Sequence, residues 1–219
     1  MPEKLAELVA IFDEEAWKYN VYPLYDDMIQ RVASRQERLF GDQEEFVYFA
    51  PGAVRIAEKS SAPVKNRAHT IETILEVTGD EQGVLVAVGG MTGGFALYVK
   101  DGRVWYDYNY LNGVHYILES PVLEAGTTEV KFNFIKTQEF GGLGQLFING
   151  KKVDEVEMPL MHVSTYSLAE TFDVGRDTGT QVSTAYEDPF PYTGELDKVV
   201  FRVGQGSQVP PRTLGTGVY

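Results

Sequence analysis

The densest grouping of chemically capable side chains is the stretch DVGRDTGTQVS, residues 173–183, where Asp173, Arg176 and Asp177 stand among two glycines and two threonines. Hard cations take oxygen ligands, so Asp173, Asp177 and nearby carbonyls are candidate ligands for a structural calcium. The D-x-D-x-D-G order of a calcium loop is absent, however, and Arg176 brings a positive charge that could pair with either acid. The Asp, Thr and Gly of RDTG are also turn residues whose side chains bond backbone amides. The stretch reads first as a turn that closes a strand pair, and second as a calcium site.

Other candidates are thinner. Glu195 and Asp197 in GELDKVV lie two residues apart and share a face if this is a strand. Retaining glycosidases on sandwich folds carry a third acid two or three residues further on; here Val199 and Val200 occupy those places, so glycoside hydrolysis is not expected. The three histidines, His69, His115 and His162, have no second His or carboxylate at metal-ligand spacing. No G-x-S-x-G elbow is present, and no Lys-Ser or Lys-Thr follows the glycines of GGMTGG, which read as a tight turn. In VWYDYNY, Val104, Tyr106, Tyr108 and Tyr110 share one strand face and Trp105, Asp107 and Asn109 the other. Trp105 and Tyr108 are thus candidate glycan contacts, although core packing is the first reading of such aromatics.

These side chains must be held by strands. The chain has 219 residues, 43% hydrophobic and 12% aromatic, enough for a large buried core. Thirteen Tyr, twelve Phe, 22 Gly and ten Pro favour pleated surfaces and frequent turns. HTIETILEV alternates with period two, and GVLVAVGG is apolar throughout, as a strand buried on both faces requires. Asp101-Gly102 and Asn149-Gly150 each sit between β-rich arms and predict type I′ hairpins. TEVKFNFIKT and GELDKVVFRV add further strands. Ten or more short strands without intervening helices predict an antiparallel two-sheet sandwich of jelly-roll type.

Ahead of the strands, residues 3–19 place Leu5, Leu8, Val9, Phe12, Ala16 and Tyr19 on one face of an amphipathic helix, which NVYP ends. The organisation expected is a helix and linker over 1–45, with a short helix at Met28 to Arg38, a sandwich over 46–205 and a tail over 206–219. A net charge of -13 with no basic block argues against nucleic acid. No apolar run reaches the roughly 18 residues of a membrane span, so no membrane partner is expected. The lack of cysteine excludes disulfides and thiolate chemistry and leaves the compartment without a redox signature.

Taken in order, PEKLAELVAIFDEEAWKYNVYPL, APVKNRAHTI, GVLVAVGGMTGGFALYVKDGRVWYDYN, LFINGKKV and FDVGRDTGTQVSTAYEDPFPYTGELDKV resemble the C-terminal part of long bacterial arylsulfatases. The resemblance implies a concanavalin-like or laminin-G-like sandwich behind an alkaline-phosphatase-like catalytic domain, with the first helix at the junction. Sulfatases of this kind convert the Cys or Ser of C/S-x-P-x-R to formylglycine and orient sulfate with a calcium. Ser61 is followed by Ala62 and Pro63, and Lys65 stands where the Arg should be, so no catalytic residue is carried over and no cofactor is required. The expectation is a non-catalytic arylsulfatase domain packed on its catalytic neighbour, with the exposed helix stripe able to form a homodimer. The alternative is a free-standing carbohydrate-binding module.

Overall fold

A computed structural model of the chain describes residues 2–22, 40–111 and 113–204. The chain divides into two compact units, residues 1–39 and 40–219. In the first, helix α1 runs from Pro2 to Lys18, with Lys4–Glu7 and Lys18–Glu15 ion pairs one turn apart. Its end is set by Asn20, which adopts a left-handed φ of 57°, so that the Val21 amide can reach the Ala16 carbonyl and the Asn20 amide that of Trp17. Tyr22 then folds back edge-on against Phe12 and Trp17, and its hydroxyl donates to Asp13. Of the apolar stripe only Ala16 is buried; Leu5, Leu8, Val9, Phe12 and Tyr19 are each more than half exposed. The helix expected at Met28 to Arg38 lies outside the described residues.

Among its described residues the second unit has twelve strands: β1 (Glu45–Phe49), β2 (Ile56–Ala57), β3 (His69–Val77), β4 (Gly83–Gly90), β5 (Gly93–Lys100), β6 (Arg103–Tyr110), β7 (Val114–Glu119), β8 (Gly126–Gln138), β9 (Gly141–Ile148), β10 (Lys151–Met158), β11 (Thr171–Val174) and β12 (Lys198–Val203). Sheet A has the order β1-β12-β3-β8-β9-β10, and sheet B the order β2-β11-β4-β5-β6-β7. The chain crosses repeatedly between the sheets, and the ladders within each are antiparallel. The expected two-sheet, jelly-roll-type sandwich with an N-terminal helix is therefore the architecture observed.

Local chemistry explains the main elements. In β3 Ile71, Thr73, Leu75 and Val77 all face inward, the set that period-two alternation selects. Both hairpin tips have the paired positive φ of type I′ turns: 53° and 69° at Asp101 and Gly102, 50° and 75° at Asn149 and Gly150. Between the sheets, Tyr106 of β6 stacks on Phe132 of β8 at 3.6 Å, and Phe172 of β11 meets Phe201 of β12 at 5.7 Å. One boundary differs from expectation. The last strand begins at Lys198, so Glu195 and Asp197 precede it; the Asp197 carbonyl is taken by the Ala50 amide at the end of β1, and Leu196 between them packs on the core.

Strand β4 is buried at all eight positions, and its last residues approach β5 so closely that only glycine fits. Gly89 pairs with Gly94, and a Cβ on Gly94 would overlap the Val88 carbonyl oxygen while the backbone holds a φ of +148°. We expect Gly94→Ala to cost more than about 3 kcal/mol in urea unfolding, at the upper end of overpacking penalties. Gly52→Ala, with only the Phe49 carbonyl at 3.8 Å, should stay within about 0.5 kcal/mol of the parent. Equal effects at the two sites would contradict the packing described.

Candidate functional site

The segment after β11, residues 175–193, does not turn away into solvent. It runs over the outer face of sheet B, where Val182 and Tyr186 bury with Val84, Ala87, Ala96 and Tyr98, flanked by Trp105 and Phe190. Three carboxylates fasten it. Asp173, almost fully buried, accepts from the Arg55 amide at 2.6 Å with one oxygen and from the Thr171 and Thr178 hydroxyls at 2.8 and 2.9 Å with the other. Asp177 accepts from the Val182 amide at 2.9 Å and the Tyr186 hydroxyl at 2.6 Å. Glu170 accepts from the Thr180 hydroxyl at 2.8 Å. Burial pushes the Asp177 carboxyl up to about 6, with further upward pressure from Asp173 and Glu170, against the pull of its two donors.

This geometry answers the first question raised by DVGRDTG. Asp173 accepts from protein donors with both oxygens and Asp177 takes its two donors on Oδ2, and among the described residues no group of three or more His, Cys, Asp or Glu side chains is arranged to hold a metal. Arg176 is exposed. The two acids therefore act as fasteners for the cover of sheet B, and the geometry does not favour calcium there.

The aromatic pair expected to meet a glycan is divided. Tyr108 is fully buried between the sheets, its hydroxyl accepting from the His162 amide at 2.8 Å. Trp105 lies on the opposite face, half-buried beside Tyr98, with its indole N–H donated to the Lys100 carbonyl at 3.2 Å. The two rings belong to different clusters and offer no common platform. Asn109, on the same face as Trp105, uses its amide to hold the carbonyls of Gly90, Met91 and Val182.

Two polar pairs escape the sequence reading. Lys65 and Glu58 form an ion pair at 2.7 Å with side chains only 6% and 3% exposed. Glu58 also accepts from the Tyr166 and Ser167 amides, at 2.9 and 3.1 Å, and from the Thr165 hydroxyl at 2.9 Å; Lys65 sits 4.8 Å from the Tyr166 ring centre. Burial alone would raise the Glu58 carboxyl, but Lys65 and those amides outweigh it and hold it below the ordinary range. Every charge here is compensated, as a buried pair requires. The pair pins the turn at Glu58–Ser60 to the 159–170 loop.

The second pair is Asp107 with His115, Oδ1 to Nδ1 at 2.7 Å, formed diagonally across the β6–β7 hairpin with the carboxylate 1% exposed. A carboxylate so placed fixes an imidazole's orientation and would suit a general base. Among the described residues, no hydroxyl hydrogen-bonds the other ring nitrogen. His69 is packed between Phe132 and Phe134, where burial pushes it down to about 4.

Open surface is found instead on the outer face of sheet A. Glu195 and Asp197 are exposed there and line a groove of about 440 Å³ with Glu72, Ile74, Glu129 and Val200. Glu72 is not free for chemistry, because it pairs with Lys131 at 3.2 Å and with Arg202. A second groove, of about 540 Å³, is lined by Glu45, Thr70, Asn133, Ile135 and Arg202. No helix among the described residues is long and apolar enough to cross a membrane.

No protein-family model and no curated protein matches the chain. Similar solved structures include the CBM40 of the Ruminococcus gnavus IT-sialidase bound to alpha2,3 sialyllactose, with 19% identity, coverage of 73% of this chain and 89% of that one, and a TM-score of 0.49. The NanB sialidase from Streptococcus pneumoniae is similar at 12% identity, over 75% of this chain and 28% of that one, with a TM-score of 0.50. Domains LG4-5 of the mouse laminin alpha1 chain give 11% identity, 78% and 42% coverage, and 0.45. At these identities the likeness is one of fold, an antiparallel two-sheet sandwich.

The fastening of Asp177 has a pH signature. Its folded value near 6 lies above the ordinary 3.8, so the protonated acid is the form the fold prefers. That contribution is complete below the ordinary value and is lost as pH rises from about 4 to about 6, because the unfolded chain releases the proton first. Asp177→Asn cannot ionise and keeps an oxygen for Val182 and Tyr186. Relative to the parent it should gain up to about 3 kcal/mol between pH 4 and pH 7 in urea unfolding. A stability difference that does not change with pH would show that Asp177 is not held in this way.

Proposed function

We propose that this chain is a non-catalytic sandwich domain of an arylsulfatase, packed in its parent against the catalytic domain. The observation that carries the proposal is where the resembling segments fall. APVKNR contains Lys65 of the buried ion pair, GVLVAVGGMTGGF forms the doubly buried β4 and the start of β5, and FDVGRDTGTQVSTAYEDPF is β11 with the cover of sheet B. Each segment is used for assembly. A scaffold shared with the family, without its reaction centre, is what such a domain would retain.

The nearest approach to a formylglycine motif supports the same reading. Ser61 is buried, its hydroxyl donates to the Glu58 carbonyl at 2.7 Å, and Lys65 is committed to Glu58. Neither group is available to a sulfate ester. Helix α1 offers a second support. Among the described residues Tyr22 packs on Phe12 and Trp17, while Leu5, Leu8 and Val9 are each more than half exposed, an apolar stripe suited to a contact with a neighbour.

Sequencing the source DNA upstream of codon 1 tests this reading. We expect an open frame leading into a C/S-x-P-x-R segment within several hundred residues of α/β pattern. A stop codon and ribosome-binding site immediately upstream, or hydrolysis of an aryl sulfate by this chain alone, would overturn it.

A further inference from the structure

We propose that the outer face of sheet A carries a binding site for a short neutral oligosaccharide, seated in the groove formed by β1, β12, β3 and β8. The inference is independent of the sulfatase reading. It starts from the contrast between the two sheets: sheet B is closed on its outer side by residues 175–193, whereas the grooves at Thr70 and at Ile74 both open on sheet A.

The register supplies the recognition surface. Glu45 pairs with Arg202, Arg202 with Thr70, Thr70 with Asn133, Asn133 with Gln145 and Gln145 with Glu155. One row of polar side chains therefore crosses all six strands of the sheet, at spacings of about 4.8 Å. On either side of Thr70 its members hold one another. Asn133 donates its amide to Gln145 at 3.1 Å, Gln145 donates to Glu155 at 2.6 Å, and Arg202 reaches Glu45 at 3.0 Å. Side chains fixed before a ligand arrives lose less entropy when it binds. A hydroxyl-rich chain laid across the strands would meet amides, a guanidinium and carboxylates in succession, the mixed donors and acceptors that sugar hydroxyls use.

Electrostatics selects a neutral occupant. Arg202 lies between Glu45 and Glu72, Lys131 pairs with Glu72 at 3.2 Å, and Lys152 pairs with Glu155 at 2.7 Å. Each of these cations already has its carboxylate, so the row offers an acidic or sulfated sugar no unpaired positive charge. Thr70 lines the groove at the middle of the row, between Arg202 and Asn133. Ile135, 39% exposed, borders it with Ala68 and Val203 as apolar footing for the C–H face of a ring. The volume of about 540 Å³ falls within the range of roughly 300–1,000 Å³ of small-molecule sites.

The test uses the full chain, isotopically labelled, in amide proton–nitrogen correlation spectra. Maltotriose, cellotriose, xylotriose and mannotriose are the neutral probes, each at about 10 mM to detect millimolar affinity, and sialyllactose is the anionic one. We expect at least one neutral trisaccharide to shift the amides of Thr70, Asn133 and Arg202. Asn133→Ala should weaken it about ten-fold or more, with Gln145→Ala as the second variant should the first not fold. The proposal is overturned if no neutral probe shifts sheet A, if the shifts fall on residues 175–193, or if sialyllactose binds more tightly than every neutral probe.

Discussion

Strands β4 and β5 are apolar on both faces, and that constraint organises the rest of the molecule. A strand such as GVLVAVGG can bury only one side against an opposing sheet; the other needs a separate cover. Sheet A supplies the first through Phe132, Phe134 and Phe201, and residues 175–193 supply the second through Val182, Tyr186 and Phe190. An irregular segment laid on an apolar surface carries backbone groups that must be bonded where water cannot reach. Hence the unusual concentration of acids and hydroxyls around its root, where Asp173, Asp177, Glu170, Thr171, Thr178 and Thr180 bond one another and nearby amides.

The same requirement explains why residues that look chemical serve the architecture. An aspartate beside a glycine-rich turn can bind a cation or accept amides, and burial with donors already present decides for the second. Lys65 with Glu58 repeats the pattern at the Tyr166 loop, where a charge pair shielded from water joins two irregular segments that sheet hydrogen bonds do not connect. Asp107 and His115 do so less completely, since the imidazole keeps some exposure. With sheet B closed by these contacts, sheet A keeps the open face, and its polar groups are regular because strands place them there.

Much of the fold was legible in the residues because it depends on short-range rules. Type I′ turns at Asp101-Gly102 and Asn149-Gly150, the alternation of β3, and the helix with its stop near Asn20 follow from neighbours a few positions apart. The faces of VWYDYNY were separable too, but which face met the core and which a covering segment was not, so Trp105 and Tyr108 could be paired in thought although the fold separates them. Glu195 and Asp197 looked like strand residues because the strand's start is set by where β1 ends, at Phe49 opposite Lys198. The row from Glu45 to Glu155 was out of reach for a stronger reason. It draws one residue from each of six strands, and only the register aligns them. The Asp107–His115 pair was closer, since the hairpin brings Asn109 opposite His115 and leaves Asp107 on the diagonal.

The proposed arylsulfatase-domain role and the proposed glycan-holding face are compatible on this scaffold, because the first would use assembly contacts and the second the outer side of sheet A. Both depend on the cover of sheet B being a permanent part of the fold. Native-state amide hydrogen exchange tests that most directly. The amides of Asp177, Val182 and Tyr192, which bond to Pro189, Asp177 and Gly175, should exchange as slowly as those of Val86 and Ala87 in β4. If instead they exchange through local opening while β4 stays protected, the segment is a movable flap, and the outer face of sheet B returns as a place where function could reside.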